Sequence, residues 1–152
     1  MQQATLVFPI KGRRILLGMK KRGFGEGKLN GFGGKVKYGE EIDEAAIREV
    51  WEECGIRLKD IANRGELTFL FPSNPKFNQV VHVFISRDWD GEPSETDEMR
   101  PAWFDIYELP FNRMWKDDPH WLPKVIAGER VRGKIIFRSD GESIESVDMG
   151  SY

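Results

Sequence analysis

Three glutamates, Glu49, Glu52 and Glu53, crowd into the stretch Arg48-Glu49-Val50-Trp51-Glu52-Glu53. On a helix, at about 100° per residue, their carboxylates share an arc of about 100°. Ala46, Ile47, Val50, Trp51 and Cys54 take the adjoining side and are expected to face a core. Glu44, Arg48 and Glu52 stand four apart, so Arg48 can be held between two carboxylates. Like charges packed this closely repel, which does little for stability. Hard divalent cations relieve that repulsion, and carboxylate oxygens are the ligands Mg²⁺ prefers. The competing reading is a solvated acidic face on an amphipathic helix. Glu-x-x-Glu-Glu taken alone does not separate the two.

The elements that would position these groups follow from turn and periodicity signals. Gly39 marks a turn, Glu40 to Cys54 reads as a helix, and Gly55 sits where a helix-terminating glycine belongs. Ahead of it, Ala4 to Ile10 and Arg14 to Met19 read as a hairpin turned at Lys11-Gly12. A glycine-rich loop with Gly23, Gly25, Gly27 and Asn30 then leads to a short strand around Gly31 to Val36. Beyond the helix, Glu66 to Phe71, Val80 to Ser86 and Arg100 to Phe104 read as strands. A second helix is expected from about Pro119 to Ala127, and a closing hairpin spans Gly133 to Arg138 and Glu142 to Val147, turned at Asp140-Gly141. Strands dominate, with one or two helices packed on them, which is an α+β reading of a single domain over residues 1–152.

Composition narrows the classes. A chain of 152 residues can bury a core without disulfide staples. A formal net charge of −2 argues against a grip on polymeric nucleic acid, yet leaves room for a single nucleotide in a local site. Cys54 is the one cysteine, so no internal disulfide forms. The apolar stretch Leu6-Val7-Phe8 is cut by Pro9 and is too short for a signal segment or a membrane span. The expected address is the cytoplasm, with an organellar or nuclear pool as the alternative. No exposed apolar periodic face is evident, so a monomer is expected.

The surroundings of the glutamates carry a longer pattern. Gly34 is followed after five residues by Glu40, then after seven by Arg48-Glu49, with Val50, Glu52-Glu53 and Gly55-Ile56 in register behind them. This run resembles the Nudix box at every defined position. The resemblance implies the Nudix fold, a mixed sheet between helices with the box as a catalytic loop–helix–loop. It also implies hydrolysis of a nucleoside diphosphate linked to another group, with Mg²⁺ as cofactor and Mn²⁺ as a substitute. Glu49, Glu52 and Glu53 would then be metal ligands, with the carbonyl of Gly33 or Gly34 in addition. Glu53, or Glu98 from outside the box, would activate the water, Glu98 would also join the metal ligands, and Arg48 would orient a glutamate.

From about Thr5 to Phe137 the chain further resembles the animal-type oxidised purine nucleoside triphosphate hydrolases. The stretches that carry this are Gly18 to Gly25, Asn30 to Lys35, Ser94 to Phe104 and Pro110 to Trp121. It implies that Thr5, Lys20, Phe24, Asn30, Phe32, Gly34, Lys35, Phe69, Trp115, Asp117 and Asp118 contact a nucleotide. The chemistry of several fits. Trp115 offers a face on which a purine can stack, and Asn30 offers a donor and an acceptor to base edges. Neighbouring carboxyls in an apolar pocket have raised, coupled titrations, so Asp117-Asp118 can present one donor and one acceptor. The competing reading is that these acids, with Pro119, simply start a helix.

The expected reaction is oxidised purine triphosphate plus water giving the monophosphate and pyrophosphate, a sanitation of the nucleotide pool. Two alternatives stand beside it: a Nudix hydrolase for ADP-ribose or a methylated purine triphosphate, and a module that binds without turnover. The loop Pro72 to Gln79, about one residue longer, and the tail after Arg138 depart from the family pattern. His82 and His120 lack metal-type spacing and read as a strand residue and helix surface or pocket rim.

Overall fold

The computed structural model describes residues 1–150. β1 (Gln2–Lys11) and β2 (Arg14–Lys20) form the opening hairpin, yet they pair only beside the turn, Ile10 with Ile15 and Lys11 with Arg14. Beyond it they part company. β1 runs parallel to β5 (Gln79–Asp90), while β5 is antiparallel to β4 (Arg57–Leu70). β4 is parallel to β7 (Val131–Phe137), and β7 is antiparallel to β8 (Ile144–Gly150). β2 instead pairs with the short β3 (Leu29–Asn30) and, along its whole length, with β6 (Met99–Asp105). The parting of β1 from β2 opens the space in which the site is built.

Helix α1 (Ile42–Cys54) begins where Glu44 accepts the N–H of Glu41 at 3.1 Å and ends on Gly55, whose φ of 78° only glycine adopts readily. Its Ala46, Val50 and Cys54 bury against Val7, Leu16, Phe32 and Phe84. α2 (Asp118–Ile126) buries Trp121, Leu122 and Val125 in a second cluster with Phe8, Leu17, Leu67 and Ile135. One helix therefore covers each face, as expected for a mixed sheet sandwiched by helices. Among the described residues no helix is long and apolar enough to cross a membrane.

Three local expectations are corrected. Trp51 does not face the core: it is 49% exposed, with the Arg57 guanidinium 4.8 Å from the centre of its ring. The strand expected around Gly31 to Val36 is two isolated bridges, Val7 with Phe32 and Ala4 with Lys35, and β3 lies just before them. A Cβ at Gly33 would overlap the Thr5 carbonyl, so the chain crosses β1 too closely for a regular ladder. β4 starts at Arg57, well before Glu66. Its register shifts at three places, between Leu58 and Asp60, Asp60 and Ala62, and Asn63 and Gly65, and these break the alternation a strand would show in sequence.

Candidate active site

α1 delivers the acids asymmetrically. Glu53 is 4% exposed, whereas the Glu52 side chain is half-exposed. The two acids lie in the last turn of the helix, which has no basic residue to balance them, although the macrodipole there favours cations. Glu53 accepts the Gly33 N–H at 2.9 Å. Burial pushes its carboxyl up to about 8, and the charges of Glu49 and Glu98 add to the rise. The Gly33 N–H and the Lys20 ammonium work the other way.

Arg48 ties the neighbouring acids together. Its guanidinium donates to both oxygens of Glu40 at 2.7 and 3.0 Å, to Glu49 at 2.6 Å, to Glu52 at 2.9 Å and to the Lys35 carbonyl at 3.1 Å. The partner expected from helical spacing, Glu44, is instead engaged at the helix start. Glu40, returning from the preceding loop, takes its place. Arg48 and the Lys37 N–H hold the Glu40 carboxyl down at about 2. The carboxylates in turn raise Arg48 further above its already high range.

The donor set suits a hard cation: carboxylate oxygens, one of them buried and repelled by its neighbours, beside a glycine backbone. A Cβ at Gly34 would overlap the Glu49 carboxylate, so the backbone and this acid touch. Among the described residues no group of three or more Asp, Glu, His or Cys side chains is already arranged as an ion cage, since Glu49 and Glu52 both turn onto Arg48. Thr5 donates its N–H to the Gly34 carbonyl at 2.9 Å, which leaves the Gly33 carbonyl as the better backbone candidate.

Above these acids lies a cavity of about 200 Å³ that reaches from Glu53 to Trp115. Thr5, Lys20, Phe24, Asn30, Gly33, Gly34, Phe69, Trp115, Asp117 and Asp118 line it, as expected, and Gly31, Gln79 and Met99 join them without a signal in the sequence. Phe32 is not on its wall: the ring is fully buried in the α1-side core. Lys35 is exposed and offers its carbonyl to Arg48. Glu98 stands outside the cavity, with its carboxylate 3.7 Å from Arg22, though near enough to act on Glu53 through its charge.

The two aspartates are no ordinary helix start, being 2% exposed each. Asp117 accepts the Trp121 indole N–H at 2.7 Å, and burial lifts its carboxyl to about 6. Asp118 has one buried oxygen, Oδ2, with no hydrogen-bond partner. Burial, and then the charge of Asp117, push Asp118 well above the usual carboxylate range. Of the two, Asp118 is the one on which burial, the neighbouring Asp117 charge and an unpartnered oxygen all favour the protonated form. Asn30 turns its carbonyl to the Gly31 N–H at 2.8 Å, which frees its amide N–H₂ as a donor. His82 bonds Gln3 at 2.6 Å on its strand, away from the cavity, and His120 is exposed.

The family model described as NUDIX domain matches residues 1–125. An oxidized purine nucleoside triphosphate hydrolase of Danio rerio is 45% identical over 141 residues, covering 93% of this chain and 90% of the relative. One of Mus musculus is 41% identical over 145 residues, covering 95% and 92%. Among solved structures, a MutT protein from Bacillus halodurans superposes with a TM-score of 0.83 at 23% identity, covering 98% of this chain and 97% of that one, a likeness of fold. The sequence pattern, the two-faced sheet and the buried acid of α1 agree: the chain belongs to the Nudix family.

Proposed function

We propose that the chain hydrolyses oxidised purine nucleoside triphosphates, such as 8-oxo-dGTP and 2-oxo-dATP, to the monophosphate and pyrophosphate. The observation that carries this is the single cavity joining a buried acid, Glu53, to an aromatic-walled end floored by Asp117 and Asp118. The purine stacks on Trp115 between Phe24 and Phe69, and Asp118, holding its proton, donates where Asp117 accepts. That pairing reads the donor and acceptor edges of both an oxidised guanine and an oxidised adenine. The reading is supported by relatives named for this substrate class at 41% and 45% identity.

At the other end Lys20 meets the phosphates and Glu49, Glu52, Glu53 and Gly33 hold the metal, Mg²⁺ with Mn²⁺ as a substitute. A bound divalent ion neutralises phosphate charge and lowers the pKa of water. Arg48 acts on the acids, fixing Glu49 and Glu52 by hydrogen bonds. Glu53, raised and buried, is the group best placed to take the water proton, and Glu98 tunes it through charge. A single domain acting as a monomer on free nucleotides in the cytoplasm completes the proposal. Product analysis tests it: 8-oxo-dGTP with Mg²⁺ should give equal amounts of 8-oxo-dGMP and pyrophosphate, and none with EDTA. Formation of phosphate and the diphosphate instead would refute the stated bond cleavage.

A further inference from the structure

The loop between β2 and β3 closes over the Trp115 end of the cavity. Its base is fixed by backbone bonds, Lys20 N–H to Lys28 carbonyl at 3.0 Å and Gly27 N–H to Lys20 carbonyl at 2.8 Å. Its tip carries Phe24, 41% exposed, between Gly23 and Gly25 at φ 82° and 85°. A tip this rich in glycine does not hold an aromatic wall in place without outside contacts.

Phe71 and Trp115 meet the Phe24 ring from within the pocket, at centroid distances of 5.5 and 5.2 Å, and two further braces come from residues that do not line it. Phe77 stacks face to face on Phe24, with centroids 4.2 Å apart and planes at 10°. Its own turn, Pro75–Phe77, is pinned to the end of β4 where Asn78 accepts the Phe71 N–H at 2.6 Å. Glu142 pairs with Lys28 at 2.8 Å, and the Lys28 ammonium lies 5.2 Å over the Trp115 ring. Asp140 fixes Glu142 by accepting its N–H at 2.9 Å within the closing hairpin. The loop backbone also presses on Trp115, since a Cβ at Gly25 would come within 3.2 Å of the indole. Both bracing residues lie in the segments, the Pro72–Gln79 loop and the tail after Arg138, that are expected from the sequence to depart from the family pattern.

We propose that Phe77 and Glu142 are positioning residues that hold the Phe24 loop closed on Trp115 and so set how tightly the purine is bound. This rests on the function proposed above. Phe77 acts through Phe24, and Glu142 acts through Lys28 and Trp115. A stacked aromatic pair at this spacing implies a loss of about 3- to 10-fold in affinity when it is removed, and an exposed ion pair about 2-fold.

The test compares Phe77→Ala, Phe77→Tyr, Glu142→Gln, Phe24→Ala and Phe24→Ala/Phe77→Ala in the full chain. KM and kcat are measured with 8-oxo-dGTP and Mg²⁺, and Kd with 8-oxo-dGMP in EDTA. Phe77→Ala should raise KM and Kd about 3- to 10-fold with kcat within twofold, Phe77→Tyr should restore both, and Glu142→Gln should raise both about twofold. In the Phe24→Ala background, Phe77→Ala should add nothing. A Phe77→Ala protein with unchanged KM and Kd, or an effect that multiplies with that of Phe24→Ala, would overturn the proposal. If the wild type binds 8-oxo-dGMP but turns over no oxidised triphosphate, the proposed reaction fails while the Kd series still decides the brace. If it does not bind 8-oxo-dGMP, both fail.

Discussion

Replacing Glu53 with glutamine should make the metal-free protein more stable and the metal-loaded enzyme nearly inactive. Burial raises the Glu53 carboxyl from an ordinary 4.5 to about 8. A carboxyl whose folded value is raised favours the fold fully below about pH 4.5, and that advantage is lost as the pH climbs towards 8. At pH 7 the cost is about 3 kcal/mol, at roughly 1.4 kcal/mol per tenfold. Glutamine keeps the shape and still accepts the Gly33 N–H, but carries no charge. Metal-free Glu53→Gln should therefore melt about 6 to 12 °C above wild type at pH 7, for a domain in which 1 kcal/mol shifts Tm by about 2–4 °C. The gap should shrink towards pH 5 and level off above pH 8. Mg²⁺ should stabilise wild type more than the variant, because only the carboxylate needs the cation, and kcat should fall by about 10²-fold or more. Thermal melts from pH 5 to 9, with EDTA and with Mg²⁺, test this directly. A gap independent of pH, or a metal-free wild type that outlasts the variant at pH 8, would refute the reasoning.

Other changes probe neighbouring parts of the site. Arg48→Ala should release Glu49 and Glu52 and lower kcat/KM by about 10- to 100-fold, with Arg48→Lys rescuing little because it lacks the guanidinium fork, as steady-state kinetics would show. Gly34→Ala should fold yet bind Mg²⁺ about tenfold or more weakly, since the added methyl displaces the Glu49 carboxylate. Isothermal titration against wild type checks the affinity and circular dichroism checks the fold. Asp117→Asn should flatten the pH dependence of the 8-oxo-dGTP to 2-oxo-dATP preference, which in wild type should change through about pH 6 as Asp117 loses its proton. An identical pH profile in the two proteins would count against Asp117 reading the base.

Much of the site was legible because its spacing is rigid. Gly34 to Ile56 fixes a loop, a helix and its stop, and α1 and its Gly55 end appear where that spacing places them. What helical periodicity does not decide is which of two adjacent acids faces inward. Glu53 is buried and Glu52 is not because the sheet and the Gly33 backbone lie under one edge of the helix. The partner of Arg48 was misread for a similar reason. Periodicity offers Glu44, but Glu44 satisfies the exposed N–H of the helix start, and a loop residue eight positions back, Glu40, reaches the guanidinium. The early half of β4 was hidden by its bulges, and the burial of Phe32 by a close crossing over β1 that only the folded chain shows. Asp117 and Asp118 by themselves read equally as the start of a helix with Pro119, and only the folded chain, which leaves each 2% exposed, distinguishes a buried pair from a surface cap.

The most direct test of the account is pyrophosphate release with Mg²⁺ from 8-oxo-dGTP, 2-oxo-dATP and dGTP, compared by kcat/KM. If the purine stacks on Trp115 and its edge is read by Asp117 and Asp118 as proposed, either oxidised nucleotide should be favoured over dGTP by about tenfold or more. Equal rates for all three, or turnover of none, would contradict it.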